Sequence, residues 1–328
     1  MRNIHISSKK RSYEPEYSDS EVSSAAQSRV PLIVIVGMTA TGKSELAIRL
    51  AERFDGEIVC ADSRTIYRGM DIGTAKPSLS DRARAPHWGL DLVEPNEPFT
   101  VADFKMYAER TIEDIGARGR LPIMVGGSGL YIDAVLYDYR MLVGPDISLR
   151  CELMELDVEA LQAKHYECGL ALPADSRNPH RLIRNLETGG ALAAGKATDR
   201  NRGIRSNTLV IGIEMPIEAV EAHIRARVQT MMAAGLTGEV MCLADDYGWA
   251  AKGLQAPGYR EYHPSLTDDP ALIDEHVIAA DIVKSTRALA KRQRTWFRRN
   301  KSIHWLATED RTAEAVDLVT TFLHTRLS

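Results

Sequence analysis

The sequence predicts an α/β fold, a parallel sheet flanked by helices with a helical insertion, and three observations carry that reading. An apolar run, Leu32-Ile33-Val34-Ile35-Val36, ends at Gly37 and is followed by a helical pattern; strands and helices then alternate; and a stretch without strand character separates two strand-bearing parts. Alternation of this kind implies parallel strands joined by crossover helices.

The elements follow in order. The first run has no polar alternation, as a strand covered on both faces requires. From Gly42 to Arg53, with Phe54 just beyond, Leu46, Ala47, Leu50 and Phe54 recur at helical spacing, and a short strand spans Glu57 to Ala61. A loop punctuated by Gly and Pro runs from Arg68 to Pro98, before a helix from Val101 to Ala117 and a strand from Pro122 to Val125 closed by Gly126-Gly127. Residues 141–205 have helix-forming stretches around Ser148–Cys168 and Pro179–Glu187, broken by glycines, and are expected to form the insertion. Thr208–Ile213 resumes the sheet, and helices are expected around Ile217–Ala233, Glu239–Asp246 and Leu272–Arg299. The core is therefore 31–140 together with 206–328, and the polar, Ser-rich residues 1–30 are expected to be a disordered tail.

Composition narrows the function classes. No apolar run approaches the roughly 18 residues of a membrane span. Cys60, Cys151, Cys168 and Cys242 form no CxxC pair, so neither a disulfide framework nor a cysteine zinc site is supported, and reduced thiols in a cytoplasmic protein are expected. Residues 1–30 lack the apolar core of a secretory signal, and their acidic residues argue against a transit peptide. A formal charge of -4 gives no global reason to expect nucleic acid. Locally, Lys284, Arg287, Lys291, Arg294, Arg298 and Lys301 are spaced three or four apart, which on a helix makes one cationic stripe, with Ile278, Ile282, Leu289 and Trp296 on another face. Such a stripe suits a polyphosphate backbone or is a solvated surface; the helix alone does not decide.

Chemistry concentrates after the first strand. Gly37-Met38-Thr39-Ala40-Thr41-Gly42-Lys43-Ser44 fits G-x-x-x-x-G-K-[ST] between a strand and a helix, the context a P-loop needs. Its backbone N–H groups would converge on the phosphates of a nucleotide or diphosphate, Lys43 would add a point charge, and the Ser44 hydroxyl could ligate Mg²⁺. The fold class thereby becomes a P-loop NTPase-like sheet. Asp62 ends the next strand, so it should face the same crevice as Lys43 and could act as a general base. Arg227 is a further candidate for gripping the phosphates or is a solvated helix arginine; the sequence alone does not decide.

The P-loop together with Asp62-Ser63-Arg64-Thr65-Ile66-Tyr67-Arg68-Gly69-Met70-Asp71-Ile72-Gly73-Thr74-Ala75-Lys76-Pro77 resembles the tRNA dimethylallyltransferase family. Val125-Gly126-Gly127-Ser128-Gly129-Leu130-Tyr131, Gly258-Tyr259-Arg260-Glu261 and the run from Lys291 to Arg299 match in the same order, so the resemblance covers about Pro31 to Leu306. It implies transfer of a dimethylallyl group from dimethylallyl diphosphate to the N6 amine of an adenosine beside the tRNA anticodon. By position, residues 37–44 would hold the diphosphate, Asp62 would take the amine proton, and Asp62, Ser63, Arg64 and Thr65 would meet tRNA near the target base. Ser128, where the family usually has Thr, would hydrogen-bond the diphosphate or the nucleotide. Arg150, Arg181 and Arg184 fall where the family contacts tRNA. The chain departs from the family pattern at Thr65, often Gln; at Trp88, often His; at His223, usually Arg; and at Pro257. A monomer with no membrane partner is expected. Prenyl transfer to a free adenine nucleotide, phosphoryl transfer to a small molecule, and RNA binding without turnover are the competing readings of the same motifs.

Overall fold

The computed structural model describes residues 30–139, 147–191, 203–263, 274–306 and 310–325. The expected tail, apart from Val30, and part of the insertion lie outside these residues. Six strands form one parallel sheet, in the order β3-β2-β4-β1-β5-β6, from β1 (Leu32–Gly37), β2 (Gly56–Cys60), β3 (His87–Trp88), β4 (Leu121–Gly126), β5 (Thr208–Ile213) and β6 (Ile303–Leu306). The chain moves to one side of β1 for β2–β4 and to the other for β5 and β6. Connections thus diverge at the carboxyl end of β1, where doubly wound sheets bind ligands.

Both faces of the sheet are covered. Ile33, Ile35, Ile58, Ile123 and Ile211 pack against α1 (Lys43–Phe54) and the C-terminal helix α11 (Arg311–His324). Leu32, Val34, Val36, Met124 and Val210 pack on α3 (Val101–Ala117) and α4 (Gly129–Leu136). This i, i+2 division explains why β1 reads as continuously apolar. A third core joins the loop after β2 to α8 (Ile217–Ala233), α9 (Leu236–Tyr247) and α10 (Glu275–Phe297), with Met70, Ile224, Leu254 and Tyr259 buried together.

The expected helix over Ser148–Cys168 is two helices, α5 (Ile147–Met154) and α6 (Val158–Glu167), because the Asp157 carboxylate accepts from the Ala160 N–H and starts a new helix. With α7 (Pro179–Glu187) they enclose a small core of Leu153, Leu161, Leu182 and Ile183. Helix α10 ends at Phe297 rather than Arg299, so Lys301 lies beyond it. The cationic stripe is also not a free ridge: Arg287 pairs with Glu221 at 2.8 Å, Arg298 with Glu214 at 2.6 Å, and the Arg294 Nε is sealed from solvent. Strands β3 and β6 and helices α2 (Leu79–Arg84), α4 and α11 have no counterpart in the sequence reading.

Candidate active site

Three strand ends build the site. β1 leads into the P-loop, β2 into Ala61-Asp62, and β4 into Gly127-Ser128, so elements distant in sequence deliver their loops to one edge of the sheet. The P-loop turns on Gly37, Ala40 and Gly42, at φ +145°, +63° and +88°. A Cβ on Gly37 would lie 2.9 Å from the Ile213 carbonyl oxygen, which makes glycine a steric requirement of the β1–β5 contact as well as of the turn.

Inside the loop, Lys43 Nζ donates to the Met38 carbonyl at 2.5 Å, and Thr41 Oγ1 donates to the same oxygen at 2.8 Å. Arg227, from α8, donates to Thr39 Oγ1 at 3.2 Å, while His223 one turn earlier donates through Nδ1 to the Ala40 carbonyl at 3.0 Å. Burial, reinforced by the Arg227 guanidinium and partly opposed by Asp62, lowers the Lys43 ammonium to a pKa of about 7. Burial also works against the charge on Arg227. Lys43 and Arg227 thus border one cavity as two basic groups whose charges burial disfavours, a pair that an anion placed between them would stabilise.

Two cavities meet here. One, of about 360 Å³, is bordered by Thr39–Ser44, Asp62 and Thr65. The other, of about 510 Å³, is bordered by Ser63, Arg64, Tyr131, Met231, Leu289 and Trp296. Thr39, Asp62, Arg227 and Gln293 border both. Asp62 Oδ1 accepts from the Arg64 N–H at 2.9 Å, which orients the carboxylate. Ser128 Oγ accepts from the Ser63 N–H at 2.9 Å and lies 3.2 Å from Ser63 Oγ, so the β4 loop fixes the loop carrying Asp62.

The structure therefore gathers Thr39, Ala40, Thr41, Gly42, Lys43, Ser44, Asp62, Ser63, Arg64, Ser128 and Arg227, while Gly37 and Met38 lie behind the loop they shape. Thr65 is buried on the P-loop side, and its hydroxyl has no hydrogen-bond partner. Arg150, Arg181 and Arg184 border neither cavity. Arg150 reaches the buried Glu187 with Nε and a terminal nitrogen at 2.6 and 2.7 Å, and Arg184 joins them at 3.1 Å. The departures at 88, 223 and 257 also have places: Trp88 donates to the buried Glu57, His223 holds the P-loop, and Pro257 borders the larger cavity.

Gln293 was missed as a site residue. Its Oε1 accepts from the Thr39 N–H at 2.8 Å and its Nε2 donates to the Gly127 carbonyl at 3.1 Å. A Cβ on Gly127 would come within 2.2 Å of that amide, and one on Gly129 within 2.3 Å of the Trp296 ring, so the two glycines admit α10 to the site. The signals for Gln293 were a polar residue on the edge of the apolar face of that helix, at i+4 from Leu289, and its place in the run from Lys291 to Arg299 that carries the resemblance.

Among the described residues, no cluster of three His, Cys, Asp or Glu side chains is arranged to hold a metal ion. Ser44 and Asp62 do border one cavity, a donor set for a cation that takes its remaining ligands from water and phosphate. No helix among the described residues is long and apolar enough to cross a membrane.

A family model described as IPP transferase matches residues 65–300. The chain is 43% identical over 281 residues to a tRNA dimethylallyltransferase of Roseiflexus sp. strain RS-1, covering 82% of this chain and 90% of the relative. It is 41% identical over 298 residues to the tRNA dimethylallyltransferase of Moorella thermoacetica, covering 86% and 91%. Among solved structures, it is similar to the full-length tRNA isopentenylpyrophosphate transferase of Bacillus halodurans, with a TM-score of 0.67, 32% identity, and coverage of 90% of this chain and 97% of that one. It is also similar to a eukaryotic dimethylallyltransferase acting on tRNA, with a TM-score of 0.64, 25% identity, and coverage of 84% and 73%.

Proposed function

The chain belongs to the IPP transferase family, and from that premise we propose that it is a tRNA dimethylallyltransferase, moving a dimethylallyl group from dimethylallyl diphosphate to the N6 amine of an adenosine beside the tRNA anticodon. The observation that carries this reading is the position of Asp62 on the wall shared by the P-loop cavity and the larger, partly apolar one. A diphosphate assigned to the first cavity and an adenine to the second would meet at that carboxylate.

In the transfer, the amine nitrogen forms a bond to the allylic carbon, the carbon–oxygen bond breaks with its electron pair leaving on the diphosphate, and the amine proton passes to Asp62. Charge accumulates on the diphosphate, to which we assign Lys43, Arg227 and the P-loop N–H groups that Gln293 does not hold as donors. Fixed donors of this kind stabilise the transition state because no solvent must reorganise. Lys43, held near a pKa of 7 by burial, regains its proton as the anion arrives. Ser44 would hold Mg²⁺, which would neutralise diphosphate charge when bound.

The acceptor must leave its stack to enter a cavity, which a loop base does at lower cost than a paired one. Asp62, Ser63 and Arg64 are assigned to the target nucleotide and its neighbours, and the insertion, through Arg150, Arg181 and Arg184, to the other side of the anticodon stem-loop. We assign the protein to the cytoplasm as a monomer, which size-exclusion chromatography with light scattering checks.

The deciding experiment offers radiolabelled dimethylallyl diphosphate with Mg²⁺ to bulk tRNA and to AMP in parallel, with Asp62→Ala as control. Label in tRNA that the variant abolishes is expected. Label in AMP alone would reassign the acceptor to the free nucleotide, and label in neither would overturn the reading.

A further inference from the structure

Glu239 lies on α9 and borders neither cavity, yet it is the most heavily satisfied carboxylate near the site. Its Oε2 accepts from the N–H groups of Asp71 and Ile72 at 3.0 and 2.8 Å. Its Oε1 accepts from the Gly73 N–H at 3.0 Å and from the Tyr259 hydroxyl at 2.7 Å. Three consecutive backbone amides turned toward one anion form a nest, and hydrogen bonds to a charged acceptor are the stronger kind. Gly73 lies so close to the Tyr259 ring that a Cβ there would fall 2.6 Å from it.

The next two residues, Thr74 and Ala75, border both cavities and so form part of the partition beside Asp62. The far end of the segment is held as firmly. Lys76, its side chain 1% exposed, donates to the Asp71 and Asp91 carboxylates at 2.5 and 2.6 Å and to the Tyr67 carbonyl at 2.8 Å. The two-residue partition thus sits in a turn closed by the Ala75 N–H on the Ile72 carbonyl and the Lys76 N–H on the Asp71 carbonyl, both at 3.0 Å, with the α9 carboxylate on the amides that enter it and the buried lysine at its exit.

We propose that Glu239 is a positioning residue for the transfer reaction, a role that rests on the function proposed above: by capturing the amides of residues 71–73 it sets where Thr74 and Ala75 stand and hence how donor and acceptor meet at Asp62. The hydrogen bonds of Glu239 go to residues 71–73 and Tyr259, and none of them reaches residues 37–44. Loss of the clamp therefore acts on the encounter and leaves diphosphate capture intact. A misplacement of about 1 Å at a reacting centre costs on the order of 100-fold in rate.

The test uses the full chain and compares wild type, Glu239→Gln, Tyr259→Phe and the double variant. Amide hydrogen exchange reads the clamp; kcat and KM for tRNA, with the affinity for inorganic diphosphate, read its consequence. For Glu239→Gln, faster exchange confined to residues 71–75 is expected, with kcat reduced about 100-fold and diphosphate affinity within about twofold of wild type. Tyr259→Phe, which removes one of the four donors, should lower kcat a few-fold, and the double variant should be no slower than Glu239→Gln alone. An active wild type whose Glu239→Gln variant keeps its kcat overturns the positioning role alone. Exchange that accelerates throughout α9 and the P-loop also overturns it, because the carboxylate would then hold up the fold at large. A wild type inert toward tRNA overturns the proposed function and the positioning role with it.

Discussion

The side-chain amide of Gln293 on α10 accepts a hydrogen bond from the Thr39 N–H at 2.8 Å, joining the P-loop to a residue 254 positions later in the chain. The same amide holds the Gly127 carbonyl, so one buried side chain ties together the loops after β1 and β4. Gln293→Leu keeps much of the volume and strands both backbone groups. The stranded groups should cost about 1–3 kcal/mol, seen as a fall in melting temperature of several degrees. KM for dimethylallyl diphosphate should rise with it; an unchanged KM would mean that the bridge supports the fold only.

Lys43→Ala removes the buried cation at the centre of the P-loop. Loss of one preorganised donor to a developing anion costs roughly 3–4 kcal/mol, so single-turnover transfer should slow on the order of a thousandfold. Lys43→Arg should not restore it, because the broader guanidinium would have to enter a cavity that already contains Arg227.

The depressed pKa of Lys43 gives a pH signature. The ammonium titrates near 7 in the folded chain and near 10.5 when exposed, so between those values the unfolded state binds more protons. Stability from this residue therefore rises as pH increases through that window, and the penalty is present in full below about pH 7. Lys43→Met should raise the melting temperature of the ligand-free protein at neutral pH, with the gain shrinking toward pH 10. Diphosphate binding at pH 8 should take up a proton, measured by calorimetry in two buffers of different ionisation heat; Lys43→Met should abolish the uptake.

Asp62→Asn retains the size of the side chain and an oxygen for the Arg64 N–H. Removal of a general base typically costs about 10²–10⁴-fold, and the loss should fall on kcat while tRNA affinity stays within a few-fold, measured by filter binding. A comparable loss in tRNA affinity would make Asp62 a binding group.

The three insertion arginines should separate by experiment. Arg181 is exposed, so Arg181→Ala should weaken tRNA binding and reduce the salt slope by about one charge without moving the melting temperature. Arg150 and Arg184 share Glu187, whose side chain is 1% exposed. Arg150→Ala should therefore also lower thermal stability, and unchanged unfolding would show that the ion pair contributes nothing to the insertion.

Much of this site was written locally. The P-loop, Asp62 and the Gly-rich turn after β4 are contiguous signals, because a phosphate cradle needs glycines, a lysine and a helix start within a few residues. The four longer strands were legible because parallel strands covered on both faces leave unbroken apolar runs. β3 and β6, of two and four residues, are too short to display any period. In α11 the buried Ala315 and Val319 are four residues apart and carried a signal that the reading did not use.

The sequence by itself determined the sheet class, the phosphate loop and the acid beside it, since each depends on residue types at fixed short spacing. Only the tertiary structure decided that Gln293 bridges two loops, that Glu239 and Lys76 bracket the partition between the cavities, and that part of the apolar face of α10 lines the larger cavity. The physical reason is that a polar side chain acquires its role from the backbone groups it meets. Those meetings join residues far apart in sequence, which the assembly of the sheet, the contact of α10 with β1 and the packing of α8 on α10 and of α9 on α8 bring together.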